Sequence, residues 1–248
     1  MNSQEYKQFY DTVGALNGWD FSQVRCISEG VEWDFYDEVG KCCTPSDVVL
    51  DIGTGGGESL FSIADKAALL VGIDLSHAMM ETALRNKRNA LVSNVRLMQM
   101  NAESLQFPEA FFNVISCRHS PFRASEVGRV LDEDGVFLTQ QVRECDKANL
   151  AQAFGRGQSS REDGALKDQY MKELRLAGFG DIQYAEYDAV EYYEREEDLI
   201  FLLKHTPIIP GFGQEELDFR ILQQFIRDHR TDRGIRTNSA RFLIVARK

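Results

Sequence analysis

The stretch VVLDIGTGGGE, residues 48–58, joins a short apolar run to a turn that is dense in glycine. Val48 to Ile52 is rich in β-branched residues and too short for a helix of normal length, which favours a buried strand. The glycines that follow leave the backbone bare, so a ligand can approach it closely at the start of a helix. This stretch therefore predicts a ligand-binding turn at the carboxyl end of a central strand.

The chain around this stretch alternates apolar β-branched runs with amphipathic helical runs. Ser76 is the expected N-cap of one helix, and Gly178 is expected to end another in the left-handed conformation. Such alternation is typical of a doubly wound α/β fold, in which helices cover both faces of a parallel sheet. The predicted strands are 48–52, 69–75, 95–100, 112–117 and 136–142, and the predicted helices are 58–66, 76–90, 124–131 and 165–177.

Both ends of the chain depart from this alternation. Residues 1–44, with an aromatic-rich segment from Tyr6 to Tyr36, are expected to form a helical cap over the site. Residues 45–248 form the main domain, in which an insertion at about 194–236 is a candidate lid or substrate-binding element. The pattern near that insertion predicts strands at 182–193 and 241–245 and helices at 195–205 and 215–229.

The composition limits the classes of partner. A formal net charge of −11 disfavours general attraction to the phosphate backbone of nucleic acids. Because no apolar run reaches the roughly 18 residues of a membrane-spanning helix and no signal-peptide pattern is seen, we expect a cytoplasmic protein that does not span a membrane. The five cysteines lack the spacing of a metal site, which favours reduced thiols and predicts no metal ion. Nothing in the sequence indicates an oligomeric state.

The spacing of the glycines weighs against a dinucleotide as the ligand of this turn. Gly53, Gly55 and Gly57 form the pattern G-x-G-x-G, whereas Glu58 stands where a dinucleotide-binding turn has a third glycine or an alanine. Asp74 follows Gly53 by 21 residues, at the end of the next predicted strand. A carboxylate at that place can accept hydrogen bonds from two ribose hydroxyls, although a helix-capping aspartate is the alternative.

Four segments, in this order, resemble motifs one to four of the class I S-adenosylmethionine-dependent methyltransferases: Asp51 to Gly57, Asp74, Asn101 to Glu103, and Phe112 to Cys117. The resemblance covers roughly residues 45–145 and favours the bacterial small-molecule branch of the family. It implies a Rossmann-like sheet of seven mostly parallel strands, with an antiparallel strand near the C-terminus.

The resemblance also implies S-adenosyl-L-methionine as the cofactor. In that family the glycine turn would hold the methionine part, Asp74 the ribose, and residues 101–103 the adenine. The family often has aspartate where this chain has Asn101, but an amide oxygen can accept the same hydrogen bond. The residues expected to contact the cofactor are Asp51, Gly53, Thr54, Gly55, Gly57, Asp74, Leu75, Asn101, Ala102, Glu103, Cys117 and Arg118.

The loop at 118–122 follows the fourth predicted strand, where relatives place residues that face the transferred methyl group. His119 is the candidate catalytic base, because an imidazole titrates near neutral pH; a structurally bonded histidine is the alternative. His119, Arg156 and Trp33 are also candidates for binding the substrate. Trp19, Tyr36 and Gln158 are weaker candidates.

We expect methyl transfer to a small-molecule acceptor by in-line displacement. An RNA or protein methyltransferase is the first alternative, and it would need a basic track, for which Arg123, Arg129, Arg156 and Arg161 are the obvious contributors. A nicotinamide-dependent oxidoreductase is disfavoured by Glu58 and by the absence of a Tyr-x-x-x-Lys pair. A non-catalytic cofactor-binding protein is a further alternative.

Overall fold

Strand β2 (Val48–Ile52) lies inside the sheet between β3 (Leu69–Asp74) and β5 (Phe112–Arg118) and runs parallel to both. The computed structural model describes residues 24–157 and 161–248. The other strands are β1 (Cys26–Glu29), β4 (Val95–Gln99), β6 (Leu131–Val142), β7 (Asp181–Tyr193), β8 (Arg230–Thr231) and β9 (Gly234–Arg247). The helices are α1 (Phe35–Lys41), α2 (Glu58–Phe61), α3 (His77–Ala90), α4 (Ala124–Val130), α5 (Ala148–Phe154), α6 (Ala165–Leu176), α7 (Glu196–His205) and α8 (Glu216–His229), with a 3-10 turn at Ala64–Lys66.

The strands form one sheet in the order β1-β7-β9-β6-β5-β2-β3-β4, with β8 paired to β9. Strands β2 to β6 pair in parallel, whereas β9 is antiparallel to both β6 and β7. The predicted doubly wound, Rossmann-like α/β fold with an antiparallel strand near the C-terminus is thereby confirmed. The parallel arrangement brings the carboxyl ends of β2, β3, β4 and β5 to one edge of the sheet.

The described residues contain nine strands rather than the seven predicted. One of the two additional strands, β1, lies in the segment for which a helical cap was expected. Its residues pair with Val190–Tyr193 of β7 and so extend the sheet at that edge. The expectation of a purely helical segment before residue 44 is therefore wrong for Cys26–Glu29, and it stays untested for residues 1–23, which lie outside the described residues.

Side chains of β2 alternate between two apolar layers, as expected for a sheet covered on both faces. Leu50 and Ile52 are buried in one core cluster together with Phe112 and Phe137. Val49 is buried in a second cluster with Phe35 of α1. Helices therefore pack on both sides of the sheet, and the turn after β2 is held rigidly between the two layers.

Local signals in the sequence fix the helix that follows β3. The Ser76 hydroxyl accepts a hydrogen bond from the Met79 backbone N–H, which confirms Ser76 as the N-cap of α3. Gly178, just beyond α6, has a φ of +97°, as predicted for a glycine that ends a helix. None of the helices in the two described ranges combines the length and the apolar character needed to cross a bilayer.

The predicted insertion between the last two long strands is helical. Helices α7 and α8 pack on α5 through a third apolar cluster, which includes Leu150, Leu199 and Phe225. The Arg156 guanidinium donates to Asp218 Oδ1 at 2.5 Å and to the Pro210 carbonyl at 3.1 Å. These contacts fasten the insertion to the end of α5.

Candidate active site

The glycine turn after β2 has a backbone conformation that disfavours any residue with a side chain. Gly53, Gly55 and Gly57 have φ values of +73°, +56° and +81°, in the left-handed region that favours glycine. A Cβ atom at Gly53 would lie 2.4 Å from Cβ of Ser120. The turn is therefore both bare and in direct contact with the loop that follows β5.

Asp74 connects this turn to the next helix. Its Oδ2 accepts a hydrogen bond from the Gly55 N–H at 3.0 Å, and its Oδ1 accepts one from the Ser76 N–H at 2.8 Å. The side chain is partly exposed at the end of β3, one strand away from the turn. Because the Asp74 side chain is partly exposed, a ligand at this edge of the sheet can reach it.

The segment after β4 continues the same edge of the sheet. The Met100 N–H donates to the Asp74 carbonyl at 3.0 Å, and Asn101 Oδ1 accepts from the Glu103 N–H at 2.9 Å. Asn101 and Glu103 are exposed and Ala102 is partly exposed. Residues 101–103 therefore lie next to Asp74 along this edge of the sheet, in the order expected for the cofactor contacts.

The predicted cofactor residues fall into two groups by accessibility. Nine of the twelve are accessible at the edge formed by β2 to β5. Eight of these are exposed or partly exposed, and Thr54 is only marginally accessible; the eight are Gly53, Gly55, Asp74, Leu75, Asn101, Ala102, Glu103 and Arg118. Asp51, Gly57 and Cys117 are buried. The second group can support the site but cannot contact a ligand through side-chain atoms.

Asp51 is one of these supporting residues, which corrects its predicted role as a contact. Its side chain has no exposed surface and accepts hydrogen bonds from Ser116 Oγ at 2.6 Å and from the Tyr36 hydroxyl at 3.2 Å. Burial raises the pKa of Asp51 to about 6, although these hydroxyl hydrogen bonds act in the opposite direction. Asp51 therefore anchors Tyr36 and β5 beneath the glycine turn.

Cys117 is the other correction among the buried group. It is fully buried in the core cluster that contains Ile52, and its Sγ donates to the Ser120 carbonyl at 3.1 Å. Burial raises the pKa of the Cys117 thiol far above its usual range, so it stays protonated. Its side chain shapes the loop after β5 and offers nothing to a ligand.

A cavity of about 250 Å³ opens beside the loop after β5. Its walls come from the segment before α1, from that loop, and from strands β6, β7 and β9. Trp33 and Tyr187 form an aromatic wall, with ring centroids 4.6 Å apart. The cavity is lined by Ser28, Val31, Trp33, Asp34, Phe35, Arg118, His119, Gln140, Tyr187, Glu191, Ser239 and Arg241.

A hydrogen-bonded chain along the cavity fixes the protonation of His119. The Trp33 Nε1–H donates to Gln140 Oε1 at 2.7 Å, and Gln140 Nε2 lies 3.1 Å from His119 Nε2. Because an indole only donates, the amide oxygen must face Trp33 and the amide NH2 must face His119. Nε2 of His119 is therefore the acceptor, and in the neutral ring the proton lies on Nδ1.

His119 is neutral in this environment. Burial lowers its pKa well below the usual value, and the positive charges of Arg241 and Arg118 act in the same direction. Its backbone, at a φ of +54°, is held by its N–H, which donates to the Gln140 carbonyl. Since the basic nitrogen is occupied by Gln140, this arrangement suits a hydrogen-bond donor better than the general base suggested by the sequence.

The charged groups on the cavity wall are mostly paired. Arg241 Nη1 lies 2.7 Å from Asp146 Oδ1, and Glu191 Oε2 lies 2.7 Å from Lys147 Nζ. Within the described residues, by contrast, the exposed Arg118 guanidinium has no acidic partner inside 4 Å, and it lies 6.0 Å from the centre of the Tyr36 ring. Arg118 is thus a cation available to a ligand.

Arg156 does not have the role that the sequence suggested. Its guanidinium is bound to Asp218 and to the Pro210 carbonyl, and it lies 5.5 Å from the centre of the Phe154 ring. Because these contacts use the side chain inside the insertion, Arg156 is a structural residue rather than a substrate contact. Trp19 and Gln158, the weaker candidates, lie outside the described residues.

Of the twelve residues that line the cavity, the sequence analysis named only Trp33, Arg118 and His119, and those it missed include Gln140, Tyr187 and Arg241. Gln140 had a detectable signal, because it is the middle of three consecutive polar residues, Thr139 to Gln141, inside a predicted buried strand. Tyr187 and Arg241 come from β7 and β9, which reach the cavity only through the antiparallel pairing near the C-terminus. No spacing within the sequence connects them to the loop after β5.

Part of the chain is similar to known methyltransferases. Residues 49–135 match the family described as "methyltransferase domain". The chain is 37% identical over 135 residues to the uncharacterized methyltransferase YcgJ of Bacillus subtilis, a match that covers 52% of this chain and 53% of that protein. The match thus spans about half the length of this relative, and the family match at residues 49–135 contains the glycine turn and Asp74.

Solved structures with the same fold cover more of the chain. The crystal structure of YcgJ from Bacillus subtilis aligns over 85% of this chain and 97% of that chain, with a TM-score of 0.62 and 23% identity. The [4+2]-cyclase SpnF covers 100% and 97%, with a TM-score of 0.64 and 20% identity. A geranyl diphosphate methyltransferase in complex with SAM covers 86% and 82%, with a TM-score of 0.53 and 18% identity.

Proposed function

We propose that this chain transfers the methyl group of S-adenosyl-L-methionine to a small-molecule acceptor in the cavity beside Arg118 and His119, because residues 49–135 match the methyltransferase-domain family. The observation that carries this proposal is the bare glycine turn with the Asp74 carboxylate bound to its Gly55 N–H. A cytoplasmic location is part of the same proposal and comes from the sequence alone.

The charges at the turn favour this cofactor over a dinucleotide. Glu58 Oε1 accepts a hydrogen bond from Asn86 Nδ2, which also donates to the Gly56 carbonyl, so a carboxylate is fixed beside the turn. A dinucleotide places its negatively charged pyrophosphate at such a turn, and this carboxylate would repel it. A positively charged sulfonium and ammonium suit the same surroundings, which supports S-adenosylmethionine.

Each accessible group at this edge has a place in the proposal. The turn at Gly53 and Gly55 would hold the methionine part, Asp74 would accept from the ribose hydroxyls, and residues 101–103 would flank the adenine. When bound, S-adenosylmethionine supplies a methyl carbon attached to a positively charged sulfur. The protein contributes mainly alignment, because in-line displacement needs the nucleophile opposite the leaving group.

The acceptor cavity is adjacent to the turn because Ser120 packs on Gly53. Arg118 and His119 would hold the acceptor so that its nucleophilic atom faces the methyl carbon, and displacement there would leave the electron pair of the broken carbon–sulfur bond on sulfur. Polar groups on the cavity walls would hold the acceptor in place. Its volume of about 250 Å³ suits a small metabolite.

The contacts of the arginines weigh against the RNA alternative. Arg129 donates to Glu126 and to the carbonyls of Phe107 and Leu105, and Arg156 donates to Asp218. Two of the four arginines proposed for a basic track are thus engaged within the protein. Such a track would need free cations to neutralise phosphates.

The fold by itself does not establish methyl transfer, as the [4+2]-cyclase SpnF shares it. The decisive experiment is calorimetric titration of cofactor-free protein with S-adenosylhomocysteine, with NADH as the matched comparison. We expect saturable one-site binding of S-adenosylhomocysteine and no measurable binding of NADH. Tight binding of NADH, or no binding of S-adenosylhomocysteine, would refute the proposal.

A further inference from the structure

The cavity walls indicate the chemical class of the acceptor. We propose that the acceptor is a small organic carboxylate, bound through its anionic group by the Arg118 guanidinium and the Nδ1–H of His119. This inference rests on the proposed function, because it concerns the same cavity. It assigns Arg118 to the acceptor, whereas the family resemblance had suggested a cofactor contact.

The first argument is the balance of charge on the cavity wall. Arg241 is neutralised by Asp146, and Glu191 is neutralised by Lys147, which is itself buried. Asp34 also lines the cavity; its carboxylate keeps its negative charge but is turned to the start of α1, where it accepts hydrogen bonds from two backbone N–H groups. Arg118 therefore carries the one positive charge on the described wall that no carboxylate within 4 Å balances. A ligand with a single negative charge complements it.

The second argument is the direction of the hydrogen bond offered by His119. Gln140 fixes the acceptor nitrogen, Nε2, so that the ring presents a donor, Nδ1–H, instead of a base. Nδ1 has no hydrogen-bond partner among residues 24–157 and 161–248, and the ring lines the cavity. A carboxylate only accepts hydrogen bonds and so matches this donor and the Arg118 guanidinium, since both residues line the cavity.

The third argument is the shape of the cavity. Trp33 and Tyr187 form an aromatic wall, which suits an apolar ligand body. The Trp33 indole N–H is already used by Gln140, so this wall offers the ligand a ring surface rather than a donor. A small aromatic ring with one carboxylate, as in benzoate, would pack on these two rings and leave its anionic group to the polar part of the wall, within a volume of about 250 Å³.

The indole N–H signal of Trp33 provides a direct reporter. The chain has two tryptophans, so a Trp19→Phe variant assigns both indole signals in a ¹⁵N-labelled sample. The test is a titration of the full chain with benzoate and, in parallel, with benzamide, which has nearly the same shape but no charge. Benzoate should shift the Trp33 signal in a saturable way, and benzamide at the same concentrations should not.

Two variants separate the anion site from general surface charge. Arg118→Met should weaken benzoate binding at least tenfold, because a charge-assisted hydrogen bond is lost. Arg123→Met removes a nearby exposed arginine that does not line the cavity, and it should leave benzoate binding unchanged. Equal responses to benzoate and benzamide, or full benzoate binding by Arg118→Met, would overturn the inference.

Calorimetry with S-adenosylhomocysteine on the same samples distinguishes this inference from the proposed function. If wild-type protein binds S-adenosylhomocysteine but benzoate leaves the Trp33 signal unchanged, the proposed function stands and the carboxylate assignment fails. If benzoate binds but S-adenosylhomocysteine does not, the proposed function fails. If Arg118→Met weakens only the binding of S-adenosylhomocysteine, Arg118 belongs to the cofactor and the inference is wrong.

Discussion

The Trp33 indole N–H donates to the Gln140 side-chain oxygen at 2.7 Å, across 107 positions of the sequence. This bond fastens the segment before α1 to strand β6 and turns the Gln140 amide NH2 toward His119. Since an indole has no acceptor atom, it allows only one orientation of the amide. A residue remote in sequence thereby determines which nitrogen of His119 carries the proton.

Replacing Trp33 should allow the Gln140 amide to rotate, so that the proton on His119 is no longer confined to one nitrogen. In wild-type protein we expect neutral His119 to have its proton on Nδ1 and not to titrate between pH 6 and 8, because burial lowers its pKa. In Trp33→Phe the amide can rotate, so both tautomers should be populated. Long-range ¹H–¹⁵N spectra measure the ring nitrogens, and a His119→Gln variant assigns the signal. A wild-type His119 with its proton on Nε2 would contradict the prediction.

Asp74→Asn should weaken the binding of S-adenosylhomocysteine about tenfold to a hundredfold. The substitution keeps the size of the side chain but removes the negative charge that two ribose hydroxyls would contact, a loss of roughly 1–3 kcal/mol. Calorimetry measures the affinity, and urea unfolding reports any damage from the lost acceptor for Gly55 or Ser76. Asp65→Asn, an exposed carboxylate paired with Lys66 before β3, is the matched control. Unchanged affinity would remove Asp74 from the site.

Gly53→Ala should destabilise the fold and weaken cofactor binding. The new methyl group would lie 2.4 Å from Cβ of Ser120, and the φ of +73° adds roughly 1–2 kcal/mol of backbone strain. Gly155→Ala is the matched control, because its φ is +62° but nothing lies within 4 Å of the added atom. Urea unfolding should show the larger loss for Gly53→Ala. Equal losses would mean that the contact with Ser120 is unimportant.

Asp51→Asn should change how stability depends on pH. Burial raises the pKa of Asp51 to about 6 from an ordinary value of 3.8, so the folded state retains a proton that the unfolded chain releases. The stability from protonated Asp51 is fully present below about pH 4 and is lost as the pH rises to about 6. Because asparagine does not titrate, the free energy of unfolding of the Asp51→Asn variant should not include this decrease.

Relative to wild type, the free energy of unfolding of Asp51→Asn should therefore increase between pH 4 and pH 7. The expected increase is on the order of 3 kcal/mol, from a shift of about two pH units. Urea unfolding of both proteins at several pH values measures it. A constant difference between the two proteins across this range would show that Asp51 has an ordinary pKa.

Local patterns in the sequence were sufficient for the fold and for one side of the site. Strand β2 begins and ends at the predicted residues, Ser76 caps α3, and Asp74 lies beside the glycine turn. These features depend on residues close together in the chain, or on the rule that parallel strands bring their carboxyl ends to one edge. Short-range periodicity and spacing report both.

The acceptor side of the site could not be predicted in the same way. Gln140, Tyr187 and Arg241 meet at the cavity because β9 pairs with both β6 and β7, a pairing that no local pattern encodes. Arg156 looked available in the sequence, yet a carboxylate 62 positions away holds it. Contacts between distant residues decide whether a polar side chain is free, and a single sequence does not contain them.

The position of β9 between β6 and β7 also constrains the order in which the strands can pair during folding. A growing chain on the ribosome can assemble β2 to β6 early, but β7 has no neighbour in the sheet on its β6 side until residues 234–247 have been synthesised. The cavity wall from Tyr187 to Arg241 therefore forms last during translation. Until then the nascent chain exposes an unpaired strand edge, a feature that favours aggregation.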